Sequence, residues 1–382
     1  KELKAFCDEC GGDPGWSAEG ENEGEVETNY RVSVLSQSEN IQIPLVVVGG
    51  TPYEMGRQYG QLMQDEIAEF IPEVLATAQA AGTDYTDRTT DENLDAVWEM
   101  ASPYMDQRLL DEIKGIAEGS GVPYDTLRRV HTLPLVADYS CSSVAVWGNA
   151  TSNGHLYQTR DLDWMLELNA HEYPCIVVYV PTEGIPHVNV GFAGLAGSHT
   201  GINNRGIVLA EMGDSGDDEY PFQYNGEHFG SIFRKVLYDA GSLDDAVGIL
   251  RDTQRMKRYH YVFGDGANLA AVKIKAHAPE TAPNDLIVWT DNDPTDEYAP
   301  NVRSSVVYND EGRGAWANIQ SNYGKYDVTR MINLANLIAS HGSNVMNVVY
   351  DATALKMWVA YAHGSQEAYQ REYTEVDLTE YM

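Results

Sequence analysis

The stretch SCSSVAVWGNATSNGHLYQTRDLDWM, Ser140 to Met165, decides the fold. Ser143 to Trp147 alternates small or polar residues with apolar ones, as a half-buried strand does. Asn153-Gly154 is the strongest short hairpin signal a sequence carries. A second strand, His155 to Thr159, therefore returns toward Cys141 and delivers Arg160, Asp161 and Asp163 beside it. A thiol, a guanidinium and carboxylates at the end of one hairpin suit a cysteine nucleophile with charge-stabilising partners. The same residues also read as a buried free cysteine beside a surface ion pair, since free cysteine often serves only as a small hydrophobe.

Working outward, Pro44 to Val48 reads as a strand ended by Gly49-Gly50. Thr51, Pro52 and Glu54 start a helix as N-cap, first helical residue and capping-box partner, and the helical pattern runs to about Ala80. A helix over about Asp106 to Gly119 puts Leu109, Leu110, Ile113, Ile116 and Ala117 on one face, and Asp125 can cap a short helix leading toward Cys141. Beyond the hairpin, Cys175–Val180, His187–Phe192, Ile207–Glu211, His260–Gly264, Leu269–Ile274, Leu286–Trp289 and Ser304–Tyr308 read as strands. Helices are expected over Gly230–Ala240, Leu243–Thr253 (capped by Ser242, with Asp245 in the box position) and Asp327–Ser340. Helices first and strands with intervening helices later suit two sheets stacked between helical layers.

The Cys-Ser-Ser, hairpin, Arg-Asp-Leu-Asp-Trp pattern resembles the N-terminal-nucleophile (Ntn) hydrolases. It is most similar to the acyltransferase and peptidase family typified by isopenicillin N acyltransferase, with bile salt hydrolase and penicillin V acylase more distant. GTPYEMG (Gly50–Gly56), EIKGIAEG (Glu112–Gly119), GINNRG (Gly201–Gly206) and QSNY (Gln320–Tyr323) carry the same resemblance from about Pro44 to the C-terminus. It implies an α+β fold, a four-layer αββα sandwich with a helical N-terminal region. It also implies self-cleavage between Ser140 and Cys141, which divides one globular domain, 30–382, into a mainly helical propeptide or α-subunit region, 30–140, and a β-subunit region, 141–382. The freed α-amine of Cys141, with an ordinary pKa of about 7.7–8.0, would act as general base for its own thiol. By the same resemblance Asp163 holds that amine, Arg160 stabilises thiolate and carboxylate charge, Asn322 donates to the oxyanion, and Arg330 lies beside the site. Trp164 and Tyr323 would bind substrate. Read without the resemblance, Asn322 is equally a turn asparagine, Arg330 a solvated helix arginine and Trp164 a core residue.

Two positions depart from the family pattern. Ser140 stands where the penicillin acyltransferases have glycine, which reaches strained conformations at less cost. Glu211-Met212-Gly213 stands where bile salt hydrolases carry a second oxyanion asparagine.

Composition bounds the function. The 382 residues carry a net charge of −33, from 58 acidic and 25 basic side chains, of which nine are lysine. Nucleic acid and anionic membranes both require a basic footprint, and neither is an expected partner. The acidic, lysine-poor composition resembles salt-adapted proteins and equally suits an ordinary acidic enzyme. No apolar run approaches the roughly 18 residues of a membrane span. The sequence opens on Lys1 rather than methionine, so removal of a leader is expected, and an extracytoplasmic location is preferred to a cytoplasmic one. Residues 1–29 are acidic and Gly-rich and read as a loose arm. Cys7 and Cys10 form a C-x-x-C with no second pair to complete a zinc site, so a local disulfide or dithiol is expected and no metal. Cys175 reads as a packing residue. G-x-S-x-G, P-loop, G-x-G-x-x-G and H-E-x-x-H signatures are missing.

The expectation is an amidohydrolase or peptidase that cleaves a small amide or peptide through a Cys141 thioester, without a cofactor; a homo-oligomer is left open. Hydrolysis is preferred to transfer, because coenzyme A phosphates are repelled by a protein of this charge. The alternatives are an acyltransferase to an amine and a non-catalytic, unprocessed relative that binds without cleaving.

Overall fold

The structure, a computed structural model, describes residues 30–38, 41–81, 89–136, 140–213, 224–278, 286–296, 303–310 and 312–382. The arm at 1–29, with Cys7 and Cys10, lies outside them. Strands β1 (Arg31–Ser38) and β2 (Ile41–Gly50) form an antiparallel pair. Gly50, at φ +116°, makes the sharp exit that a side chain would strain. Thr51 and Glu54 then close the expected capping box of α1 (Pro52–Leu62). The helical pattern breaks at Met63 and resumes as α2 (Gln64–Ala81). A helix absent from the sequence reading follows, α3 (Thr90–Ala101), with its own Thr89–Glu92 capping box. After it come α4 (Gln107–Ser120), ended by Gly121 at φ 76°, and α5 (Tyr124–Val136), which is longer than expected and starts before Asp125.

β3 (Ser140–Gly148) and β4 (Gly154–Asp163) form the expected hairpin, but β4 runs four residues further than read, so Arg160, Asp161 and Asp163 are strand residues. β5 (Pro174–Pro181), β6 (His187–Phe192), β7 (Thr200–Asn203) and β8 (Ile207–Met212) precede α6 (Phe229–Asp239) and α7 (Leu243–Asp252). β9 (Tyr259–Asp265), β10 (Ala270–Ala276), β11 (Leu286–Trp289) and β12 (Val306–Asn309) follow. α8 (Ala315–Asn322), which the sequence reading leaves unassigned, ends on Asn322, and α9 (Val328–Ile338) is the last α-helix among the described residues. β13 (Asn344–Asp351), β14 (Lys356–Tyr361) and β15 (Thr374–Asp377) were not anticipated.

The strands form two sheets, one ordered β1-β2-β5-β6-β7-β8-β9-β10-β11 and the other β12-β3-β4-β13-β14-β15. All pairings are antiparallel except β2 with β5. The sheets face each other: Gln158 Nε2 on β4 donates to the Val262 carbonyl on β9 at 2.9 Å, and Thr200 and Tyr350 hydroxyls meet at 3.0 Å. On the outer side of the larger sheet α1 covers β2, α6 covers β7 and β8, and α7 covers β9; α9 covers β4 and β13 on the outer side of the smaller one. Separate buried clusters mark these layers. Leu45, Leu162, Val262 and Tyr350 belong to the central one, Phe233 and Leu250 to that under α6 and α7, and Val144, Tyr157 and Met331 to that under α8 and α9. The architecture is therefore the four-layer αββα sandwich. Among the described residues, no helix is long and apolar enough to cross a membrane, and no group of histidine, cysteine or acidic residues is placed to hold a metal ion.

Candidate active site

The β3–β4 register builds the site. Cys141 pairs with Leu162, Ser142 with Asp161 and Ser140 with Asp163. Paired residues share a face and successive residues alternate. Cys141, Ser143, Arg160 and Leu162 therefore point between the sheets, whereas Ser142, Asp161 and Asp163 point out toward α9. Cys141 and Arg160 are both fully buried, and Arg160 Nη2 reaches Glu211 Oε2 on β8, itself fully buried, at 3.3 Å across the layer. Burial pushes the Cys141 thiol up to about 12, with Arg160 acting against the rise and the charges of Glu211 and Asp163 adding to it. In the continuous chain the sulfur is thus a neutral thiol at physiological pH.

On the outer face, Asp163 is tied from three directions. Oδ1 accepts from the Ser340 amide and from Asn344 Nδ2, each at 3.0 Å, and Oδ2 accepts from Arg313 Nη1 at 2.6 Å. The same Arg313 nitrogen donates to Ser142 Oγ and to the Ile338 carbonyl, both at 3.2 Å. Burial raises Asp163 to about 6, while Arg313 and the hydrogen bonds hold it from rising further. Its neighbour Asp161 is fully buried and lifted well above the carboxylate range, first by burial and then by the charge on Asp163. Two carboxyls this close keep one proton between them at neutral pH.

Four layers, with a cysteine opening the strand β3 inside the smaller sheet, decide the fold. It is the αββα sandwich that the sequence reading expects. No family model matches the chain. In sequence it is similar to protein dcd1B of Dictyostelium discoideum, 27% identical over 288 residues, which are 70% of this chain and 56% of that protein. The chain thus spans little more than half the length of that relative. Protein dcd1A of the same organism is 26% identical over 394 aligned residues, covering 89% of this chain and 86% of dcd1A. Among solved structures, the chain is similar to a Caenorhabditis elegans N-acylethanolamine-hydrolyzing acid amidase ortholog (TM-score 0.44, 14% identity, 61% of this chain and 98% of that one). It is also similar to penicillin V acylase from Agrobacterium tumefaciens (TM-score 0.43, 10% identity, 63% and 86%).

This sandwich does not gather every residue expected at its site. Trp164 follows Asp163 directly, is 6% exposed, and its ring lies 6.5 Å from that of His199. Asn322, Tyr323 and Arg330 lie elsewhere. Asn322 ends α8 and donates Nδ2 to Asn318, and Tyr323 OH donates to the Ser304 carbonyl. Both belong to the end of the sheet where Thr151 bridges Tyr326, beyond the hairpin turn. From Cys141 to Gly148 is seven residues of strand, roughly 23 Å at about 3.3 Å each. Arg330 occupies the first turn of α9, is 41% exposed and pairs with Asp327 at 2.6 Å, whereas the opposite end of that helix meets Asp163. The structure does not bring Asn322, Tyr323 or Arg330 to the end of the hairpin that holds Cys141.

Other side chains lie at that end of the hairpin. Asn309, last in β12, pairs with Ser143 and so shares the inner face with Cys141; its Nδ2 lies 3.0 Å from His260 Nδ1. Arg313 stands four residues later. Glu211, noted only as a departure, is the counter-ion of Arg160. One signal pointed this way: Asn309 directly follows the expected strand Ser304–Tyr308, where a polar residue at a strand end could meet Cys141.

Proposed function

We propose that this chain is a cysteine amide hydrolase that activates itself by cleaving its Ser140–Cys141 bond. What supports the reading is one juxtaposition: a fully buried Cys141, Arg160 on the same inter-sheet face of the next strand, and Asp163 directly across from Ser140. In the processing step Cys141 Sγ attacks the Ser140 carbonyl carbon and loses its proton as the C–N bond to Cys141 breaks. Water then hydrolyses the resulting thioester, leaving a carboxylate at Ser140 and a free thiol and α-amine on Cys141. The new amine emerges beside Asp163, whose carboxylate holds it. The amine takes the thiol proton, and the thiolate, facing Arg160, attacks the substrate carbonyl. Asn309 and Arg160 supply donors for the oxyanion on that face. The protonated amine then gives its proton to the leaving amine, and water releases the acyl group.

The two pieces, 30–140 and 141–382, stay together, because the first contributes β1, β2 and helices α1 to α5, and β2 pairs with β5 of the second. Hydrolysis fits better than transfer from coenzyme A, since a net charge of −33 repels a polyphosphate donor.

Edman sequencing of purified active protein tests the mechanism: a second amino terminus reading Cys-Ser-Ser-Val is expected. Cys141→Ala should abolish both that terminus and amide turnover, while Cys175→Ala retains both. A fully active single chain would rule out the α-amine as base, and full turnover by Cys141→Ala would remove the enzyme assignment.

A further inference from the structure

The turn between α9 and β13 supplies two of the three groups that hold Asp163. Asp163 Oδ1 accepts from the Ser340 amide and from Asn344 Nδ2, each at 3.0 Å. Neither donor is fixed by the element it borders. Ser340 lies past the end of α9 at Ile338. The β4–β13 register shifts between Asn344 and Met346, where strand alternation no longer sets the direction of a side chain. The connection between β14 and β15 fixes both.

Glu367 in that connection is the pin. Its Oε2 accepts from the Gly342 amide at 2.8 Å and from the Asn344 amide at 3.0 Å. A carboxylate oxygen that takes backbone N–H groups makes charge-assisted bonds, stronger than neutral ones. Two residues on, the Tyr369 amide donates to Asn344 Oδ1 at 2.9 Å, which assigns the orientation of that side chain and leaves its Nδ2 for Asp163. The connection is itself held firmly. Ala368 is fully buried, and Glu367 and Gln370 close a capping box. Glu172 of the β4–β5 connection accepts from the Gly364 amide and pairs with His363, both at 2.7 Å.

We infer that Glu367 is a positioning residue of the candidate site: its carboxylate reaches the 340–344 turn and so aims the Ser340 amide and Asn344 Nδ2 at Asp163. Among the described residues, the charged or titratable groups that act on Asp163 are Arg313 ahead of α8, Asp161 on β4 and Cys141 on β3. The end of α9, the turn and β13 add neutral donors. The ionisable ring in the turn, His341, lies flat on Tyr369 at 4.3 Å. Both neutral donors lower Asp163 against the burial that lifts it. Loosening the turn therefore lets Asp163 take its proton at higher pH. The relay stands on the hydrogen bonds themselves, and its effect on turnover rests on the reading in which Asp163 holds the Cys141 amine.

Two substitutions in the full chain separate reach from charge. Glu367→Asp keeps the charge but withdraws the acceptor by one methylene, whereas Glu367→Gln loses the charge but still presents an oxygen to both amides. The ¹³Cγ signal of Asp163, assigned by its loss in Asp163→Asn, reports the titration without any turnover. Glu367→Asp should move that titration up by about half a pH unit or more, with Glu367→Gln within about 0.2 of the wild type. An unmoved titration in Glu367→Asp overturns the inference. So does a shift in Glu367→Gln as large as that in Glu367→Asp, because charge rather than reach would then be acting. The pH profile of kcat/KM on hexanoyl 4-nitroanilide separates the relay from the reading it rests on. An acid limb that follows the titration supports both, whereas a moved titration beside an unmoved limb leaves the relay standing and overturns only the role of Asp163 in turnover.

Discussion

Arg313 ties together Asp163, Ser142 and the last turn of α9 with one nitrogen, and its effect on Asp163 can be read in a pH profile. Burial has already raised Asp163 to about 6, and Arg313 is the main influence opposing that rise. Arg313→Gln removes the opposition, so the carboxyl takes its proton at higher pH. If ionised Asp163 holds the catalytic amine, the acid limb of kcat/KM should move up by about one unit. Activity would then fall more at pH 6 than at pH 8, with Arg313→Lys moving the limb less. An unmoved limb would mean that Asp163 does not set it. Cys141, Arg160 and Asp163 were legible because one hairpin carries all three. Arg313 was not, because 150 residues separate it from Asp163 and nothing local distinguishes it from any other arginine.

Helices α1 and α4 cross so closely that glycine, not helix propensity, governs their sequence. A Cβ on Gly56 would lie 2.1 Å from the Glu112 carbonyl oxygen, and one on Gly115 would lie 2.2 Å from that of Tyr53. Glu112 is itself the buried partner of Arg234, at 2.8 and 3.0 Å, and of Tyr179 OH at 2.7 Å, so it cannot easily yield. Gly56→Ala should therefore lower unfolding free energy by about 1–3 kcal/mol from overpacking, although alanine favours an isolated helix by about 1 kcal/mol. Gly248 in α7 has nothing within 4 Å of its Cβ position. Gly248→Ala should instead stabilise by about 0.5–1 kcal/mol. Urea denaturation of both variants checks the pair of signs, and a stabilised Gly56→Ala would mean that the two helices can part without cost. Both α1 and α4 were readable from caps and apolar spacing, but their four-residue glycine spacing acquires its meaning only when the helices meet.

Across the whole molecule, buried titratable groups set the response to acid. Burial holds His131, His199, His228 and His187 neutral well below the ordinary histidine pKa. Their folded pKa values lie below the unfolded value of about 6.5, so this stability is whole above pH 6.5 and is lost as pH falls toward 3–4. Asp161 and Asp163 act in the opposite sense, since the folded state binds their protons more tightly than the unfolded chain does. His171 is lowered as well, and buried Glu112 and Glu227 are raised like the two aspartates, so the loss from the histidines below pH 6.5 is offset in part. Tm should fall from pH 7 to pH 5, and a curve that rises instead would show that burial does not hold these rings neutral. Charge makes a second expectation: with a net charge of −33, Tm should rise from low to molar sodium chloride as self-repulsion is screened. A flat or falling salt curve would remove that expectation without touching the catalytic one.

Signals that act over a few residues were enough to read much of this protein. The alternation of Ser143 to Trp147 and Asn153-Gly154 specified the hairpin, the Thr51 capping box specified the start of α1, and the hairpin carried Cys141, Arg160 and Asp163 with it. The net charge was likewise a property of composition alone. Tertiary structure decided which distant side chains complete the site. Asn309 arrives because β12 pairs with β3, Glu211 because β8 of the other sheet lies opposite β4, and Ser340 and Asn344 because α9 ends above Asp163. Asn322 and Arg330, chosen by motif, were carried to the far ends of their helices. Strand periodicity says which face a residue takes, but sheet order and the direction of a covering helix say which end of the sheet it reaches. Those depend on burial shared among elements more than a hundred residues apart, which no local pattern encodes.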